Sequence, residues 1–144
     1  MSFGIDVNLL LYASDESCAQ HTKAAEFLRR CAAGPEVFCL AWLTVMSYLR
    51  MATHPAIFSR PLSPAEAGQN IQALLELPHC RLLAEDEGFW GVYQRITKDA
   101  PARGNAVPDS HLAAVLVQHG VKTLHTHDKD FRKFTFLDVR DPVA

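Results

Sequence analysis

The apolar positions of the chain switch repeatedly between two spacings. Phe3 to Val7 is a short apolar run broken by one acid, and it reads as a first strand. Leu9 to Ala13 then turns helical. Between His21 and Ala33, the residues Ala24, Phe27, Leu28 and Cys31 fall at i, i+3, i+4 and i+7. That is an amphipathic helix, and Gly34-Pro35 stops it. Glu36 to Leu40 predicts a second strand, and Thr44 to Ala52 a helix bounded by Pro55. Ser63 is an N-cap, Pro64 fits the first helical position and Glu66 the capping-box position, so a helix runs from there to Glu76. Cys80 to Ala84 is a third strand. Glu85 to Lys98 is helical, with Phe89, Val92, Tyr93 and Ile96 on one stripe. Ala100 to Asn105 is a loop, and Pro108 to His119 is a helix ended by Gly120. Val121 to His127 reads as a strand and Phe136 to Val139 as a last one.

Strands alternating with helices mean βαβ units, hence an α/β fold with a mainly parallel sheet covered on both faces. The 144 residues are expected to form a single domain. In such sheets ligands bind beyond the carboxyl ends of the strands, near the switch in strand order. The net charge of −2, from 14 basic and 16 acidic residues, excludes a wholly basic nucleic-acid coat. It leaves room for a local basic rim. Cys18, Cys31, Cys39 and Cys80 form no C-x-x-C pair, so they read as free thiols of a reducing cytosol. The opening MSFGIDVNLLLYASDE lacks a basic n-region, and Asp6 and Asn8 break its apolar run. It is read as neither signal peptide nor membrane span, which points to a cytoplasmic protein.

Three acids sit where the strand-end rule points. Asp6 closes the first strand, Asp109 lies in the first turn of a late helix, and Asp128 follows the strand ending at His127. Asp130 comes two residues later. Each alone has a structural role to fill: Asp6 as an N-cap, Asp109 on a helix dipole, Asp128 as a turn cap. Together they are harder to explain. At contact range each pair repels by roughly 4 kcal/mol at an effective dielectric of 20. A divalent cation neutralises such a cluster, and an oxygen-only ligand set suits Mg2+ or Mn2+. That is the equipment of phosphodiester hydrolysis, in which the metal activates water and stabilises in-line attack.

The stretches Ile5-Asp6-Val7-Asn8-Leu9-Leu10, Gly104-Asn105-Ala106-Val107-Pro108-Asp109-Ser110-His111-Leu112-Ala113-Ala114 and Thr126-His127-Asp128-Lys129-Asp130-Phe131 resemble the PIN-domain ribonucleases. The nearest group is the VapC-type toxins of bacterial toxin–antitoxin pairs. Leu49 to Phe58, Phe131 to Phe134 and Asp141-Pro142 are similar to parts of one VapC subgroup. The resemblance implies a three-layer α/β/α fold and an acidic pocket holding Mg2+ or Mn2+. It implies cleavage of RNA of the transfer or ribosomal class, blockade by a cognate antitoxin, and a homodimer. It assigns Asp6, Asp109 and Asp128 to the metal, and Asn8 and Asn105 to the flanks of the pocket. Asp130 is a weaker match beside them. One position departs from the pattern: where most members carry a glutamate three residues before an arginine, Ser47 precedes Arg50. A neutral serine there orients water at most, and it leaves open a degenerate, non-catalytic domain that binds a partner.

Other residues fit around this reading. Lys129, Arg132 and Lys133 form a basic run beyond Asp128, and Arg103 precedes the Asp109 helix. Such cations bind RNA phosphate around a metal centre, Lys133 having the weaker case. Arg50 and His54 share a helix face and are equally consistent with phosphate binding or plain solvation. His125 and His127 read as surface or edge histidines, and Trp42 and Trp90 as core or interface residues. A receiver-like signalling domain also gathers aspartates at strand ends, but Leu40-Ala41 and Leu83-Ala84 offer no acceptor aspartate on a middle strand.

Overall fold

A computed structural model describes residues Met1–Ala144. Five strands form one sheet: β1 (Ser2–Ile5), β2 (Val37–Ala41), β3 (Cys80–Leu83), β4 (Thr123–His125) and β5 (Asp138–Arg140). All neighbours run parallel, in the order β3-β2-β1-β4-β5. Six helices connect them: α1 (Val7–Ser14), α2 (His21–Ala33), α3 (Trp42–Ala52), α4 (Pro64–Leu75), α5 (Phe89–Asp99) and α6 (Ala106–Gln118). A 3₁₀ turn, Lys129–Lys133, follows β4.

The alternation of side chains along the central strands divides the core. Phe38 and Leu40 of β2 join Ile5 of β1 under α1, α2, α3 and α4. Cys39 and Ala41, one residue out of phase, join Leu124 under α6. The connections β1-to-β2 and β2-to-β3 step in one direction across the sheet, whereas β3-to-β4 steps back past β2 and β1. Right-handed crossovers therefore place α5 and α6 on the face opposite α1–α4. Helix α6 is buried at every position from Leu112 to Leu116, so it carries almost no amphipathic stripe. Gly120, at φ 68°, ends it: its N–H donates to Val117 O, and Val121 N–H reaches back to Leu116 O.

Several boundaries differ from the sequence reading. β1 stops at Ile5 rather than Val7, because Asp6 turns out of the strand to cap α1. α3 begins at Trp42, directly from β2 without a loop. The capping box at Ser63 and Glu66 forms in both directions. α5 begins at Phe89, not Glu85, because Gly88 takes the left-handed conformation at φ 80° just before it. α6 begins two residues before Pro108, which the first turn tolerates because it needs no N–H there. β4 is confined to Thr123–His125, and β5 lies two residues beyond Phe136.

Two side-chain readings also change. Trp42 and Trp90 are 44% and 66% exposed, which removes core from the two alternatives and leaves an interface. His125 is not a surface residue: its ring is enclosed between Phe3 and Phe27, each with centroids 4.9 Å away. Burial lowers its affinity for a proton. All four cysteines are free, and burial pushes Cys31 up to about 12 and Cys80 up to about 11, which makes them inert thiols. No helix is long and apolar enough to cross a membrane.

Candidate functional site

The strand order reverses between β1 and β4, and both strands end at the same rim. Asp6 follows β1 and Thr126 follows β4. Asp6 is only 8% exposed, and both its carboxylate oxygens accept hydrogen bonds. Val7 N–H donates to Oδ1 at 2.7 Å and Thr126 Oγ1 donates to Oδ2 at 2.8 Å. Burial raises its pKa above the ordinary carboxylate value, against the two hydrogen bonds that lower it. The nearby charge of Asp128 raises it further.

Thr126 is the hub of this rim. It is 1% exposed. Besides donating to Asp6, its hydroxyl oxygen accepts from the Asp128 backbone N–H at 3.0 Å and from Asn8 Nδ2 at 3.2 Å. Asn8 is thereby tied to the loop after β4. It projects from the first turn of α1, so a single side chain connects the Asp6 and Asp128 segments. Asp128 in turn caps the 3₁₀ turn: its Oδ1 accepts from Asp130 N–H at 2.9 Å. Phe131, 1% exposed, anchors that turn in the core beneath α6.

The acids converge. Carboxylate oxygens of Asp109, Asp128 and Asp130 all lie within 4.8 Å of one another. Asp109 arrives from the first turn of α6. Its pKa is pushed up from 3.8 to about 6. Burial is the largest cause, followed by the negative charges of Asp128 and Asp6, while Lys133 opposes them. Asp6 lies outside the closest group of three but within electrostatic reach of both Asp109 and Asp128. Asp130 is inside that group. A cluster of hard oxygen donors, mutually repelling and partly desolvated, is chemically suited to a small divalent cation.

The other predicted residues surround this cluster less tightly. Asn105 stands exposed at the N-cap of α6 and makes no capping hydrogen bond. Ser47 is half-buried on α3, and no hydrogen bond joins it to the acids. Arg50, Arg103, Lys129 and Arg132 are exposed cations with no acidic partner among the ion pairs. Lys133 is the cation whose field reaches Asp109, although the sequence favoured its neighbours; its ammonium also lies 5.2 Å above the Phe134 ring. Thr126 was not singled out from sequence. Its one signal is a β-branched polar residue directly beyond a strand end.

No family model matches the chain. Ribonuclease VapC48 of Mycobacterium tuberculosis is 42% identical over 144 residues, covering 100% of this chain and 99% of the relative. The crystal structure of Mycobacterium tuberculosis VapC20, a sarcin-ricin loop cleaving toxin, superposes with a TM-score of 0.68 at 16% identity. That match covers 96% of this chain and 98% of VapC20. A toxin–antitoxin complex from Klebsiella pneumoniae matches with a TM-score of 0.61 at 17% identity, covering 96% of each chain. The two solved structures share the fold. The full-length identity to a curated relative goes further: this chain belongs to the VapC ribonucleases of the PIN-domain class.

Proposed function

We propose that the chain is the endoribonuclease toxin of a toxin–antitoxin pair and that it cuts RNA at the acid cluster with Mg2+ or Mn2+. Membership of the VapC ribonucleases supports the reaction class and a cognate antitoxin partner. The observation that carries the site is the convergence of Asp109, Asp128 and Asp130 at the switch point. Asp6, Asp109 and Asp128 would hold the cation, with Asp130 adding a carboxylate that Ser47 does not supply. Asp6 keeps free lone pairs for this role although both its oxygens accept hydrogen bonds. When bound, the cation supplies Lewis acidity and a nucleophilic water at neutral pH.

The protein's own groups do the rest. Thr126 and Asn8 hold Asp6 and Asp128 at fixed separation, so no reorganisation is needed when phosphate arrives. Asn105 orients phosphate or water from the start of α6. Arg50, Arg103, Lys129 and Arg132 attract the backbone of a looped or single-stranded RNA and leave its bases free.

The test is cleavage of a bulk RNA preparation by purified protein with Mn2+, Mg2+ or EDTA. Asp109→Asn and Asp128→Asn serve as comparisons. Cleavage that needs the cation and is lost in both variants is expected, together with growth arrest on induced expression of the parent alone. Equal cleavage by parent and variants, or cleavage undiminished in EDTA, sinks the assignment.

A further inference from the structure

Residues 141–144, beyond β5, fold back against the opposite side of the Asp128 loop. Asp141 Oδ2 accepts from His127 Nδ1 at 2.7 Å, so that nitrogen carries the proton. The other oxygen of Asp141 accepts from Val143 N–H at 3.0 Å, closing a tight local turn. Val143 is 6% exposed and packs into the core under α1–α4. Lys23 of α2 donates to Ala144 O at 2.8 Å. The His127 ring stands edge-on to Tyr12 of α1, with centroids 5.8 Å apart. His127 is thus gripped from two sides. It is flanked by Thr126, the hub of the acid pocket, and by Asp128 itself.

We infer that Asp141 and His127 are positioning residues, which hold the Thr126–Asp130 loop in the geometry that gathers the acids. Neither side chain is hydrogen-bonded to Asp109, Asp128 or Asp130. Their hydrogen bond is only partly shielded, the side chains being 15% and 33% exposed, yet it joins segments 14 residues apart. On the β5 side the loop is otherwise held at its first residue, by Thr126 N–H to Arg140 O at 2.8 Å, with Asp6 and Asn8 opposite and Phe131 beyond. Both oxygens of Asp141 are used, one on the ring and one on its own turn. A carboxylate does both tasks at once; the amide of Asn has a single acceptor oxygen and must abandon one. The inference rests on the metal-site reading only for its effect on cation binding, not for its effect on the loop.

The experiment compares His127→Ala, Asp141→Ala, the double variant and His127→Asn, whose amide nitrogen can stand in for Nδ1. Two readouts are taken. In metal-free protein, backbone amide exchange is followed at Asp128 and Asp130. Amides of β2 serve as the control for global folding. Mn2+ affinity is then measured by calorimetry.

Faster exchange at Asp128 and Asp130 alone is expected in each alanine variant, with about a tenfold loss of Mn2+ affinity, the usual effect of losing an outer partner. The double variant should lose no more than either single one, and His127→Asn should recover most of both signals. Unchanged exchange at Asp128 and Asp130 overturns the inference. So does an increase equal to that across β2, or a double variant that loses the sum of the singles. If the parent binds no Mn2+, or Asp109→Asn binds it equally well, the metal reading fails; the exchange data still decide the positioning role.

Discussion

Asp109→Asn is expected to make the metal-free protein more stable at neutral pH while abolishing its stabilisation by Mn2+. The substitution keeps the side-chain shape and removes the charge. In the folded protein Asp109 titrates near 6, against an ordinary 3.8, because burial and the charges of Asp128 and Asp6 disfavour its ionised form. The sign follows from proton counting. Below 3.8 the carboxyl is neutral in both states and carries no penalty. Between 3.8 and about 6 the unfolded chain releases the proton and the folded chain keeps it, so stability falls as pH rises. Above that window the whole deficit is present. Two pKa units at ~1.4 kcal/mol each set a ceiling of about 3 kcal/mol. Asp109 retains some solvent contact, which reduces the expected gain to about 1–2 kcal/mol. Urea unfolding in EDTA at pH 7.5 and pH ~3 measures it: Asn should be more stable at the higher pH and equal at the lower. Adding Mn2+ at about a hundred times its dissociation constant should stabilise the parent by ~2.7 kcal/mol and leave the variant unmoved. A less stable variant at pH 7.5, or a gain that persists at the lower pH, would refute the account of Asp109 as a charge held against its preference.

Thr126→Val removes a hydroxyl serving Asp6, Asn8 and the Asp128 N–H, and should cost about 2–3 kcal/mol in urea unfolding at neutral pH. A loss below half a kcal/mol would show that water replaces the hub freely. Phe131→Ala deletes the ring that anchors the 3₁₀ turn and should destabilise by about 3–5 kcal/mol, read as a fall in Tm. Reversing Arg103 and Lys129 to glutamate should weaken RNA binding and flatten the dependence of log K on log salt by about 0.7 for each phosphate left unneutralised. An unchanged slope would remove both from the RNA path.

The fold was largely legible because its signals are local. The α2 stripe, the Ser63–Glu66 capping box and the Gly120 stop each declare an element within a dozen residues. Some misplaced edges have local causes, as at Asp6 and Gly88, and others belong to elements fixed by distant partners. β5 owes its register to β4, with Thr123 opposite Asp138 and His125 opposite Arg140, and nothing in Phe136 to Val139 encodes that offset. Trp42 and Trp90 sit in apolar stretches, yet which face a helix turns outward depends on packing that the stretch alone does not specify. The site divides the same way. Three acids at strand and helix ends are visible in sequence because α/β sheets place ligands there. The bonds from Thr126 to Asp6 and Asn8 exist only once β1 and β4 lie side by side, and Asp130 joins the closest group only when α6 brings Asp109 to the loop after β4.

The structural and chemical readings of the acids are compatible, and their magnitudes show why one does not replace the other. Asp6 does cap α1, Asp128 does cap the 3₁₀ turn, and Asp109 does sit in the first turn of α6. Each helix start favours a negative charge by about 0.3–1 kcal/mol, so three of them together offset ~1–3 kcal/mol. Bringing carboxylates to contact range costs roughly 4 kcal/mol per pair at an effective dielectric of 20. Asp109, Asp128 and Asp130 make the three close pairs, with Asp6 farther off, so capping leaves most of the repulsion standing. Burial first, and then this repulsion, shows in Asp109, whose pKa is pushed up to about 6. Three separate capping sites could have been built without bringing the acids together. A fold that instead aims three helix starts at one rim, and locks two of the segments through Thr126, retains a charge conflict that protonation of Asp109 relieves below about pH 6 and that a bound cation would relieve above it.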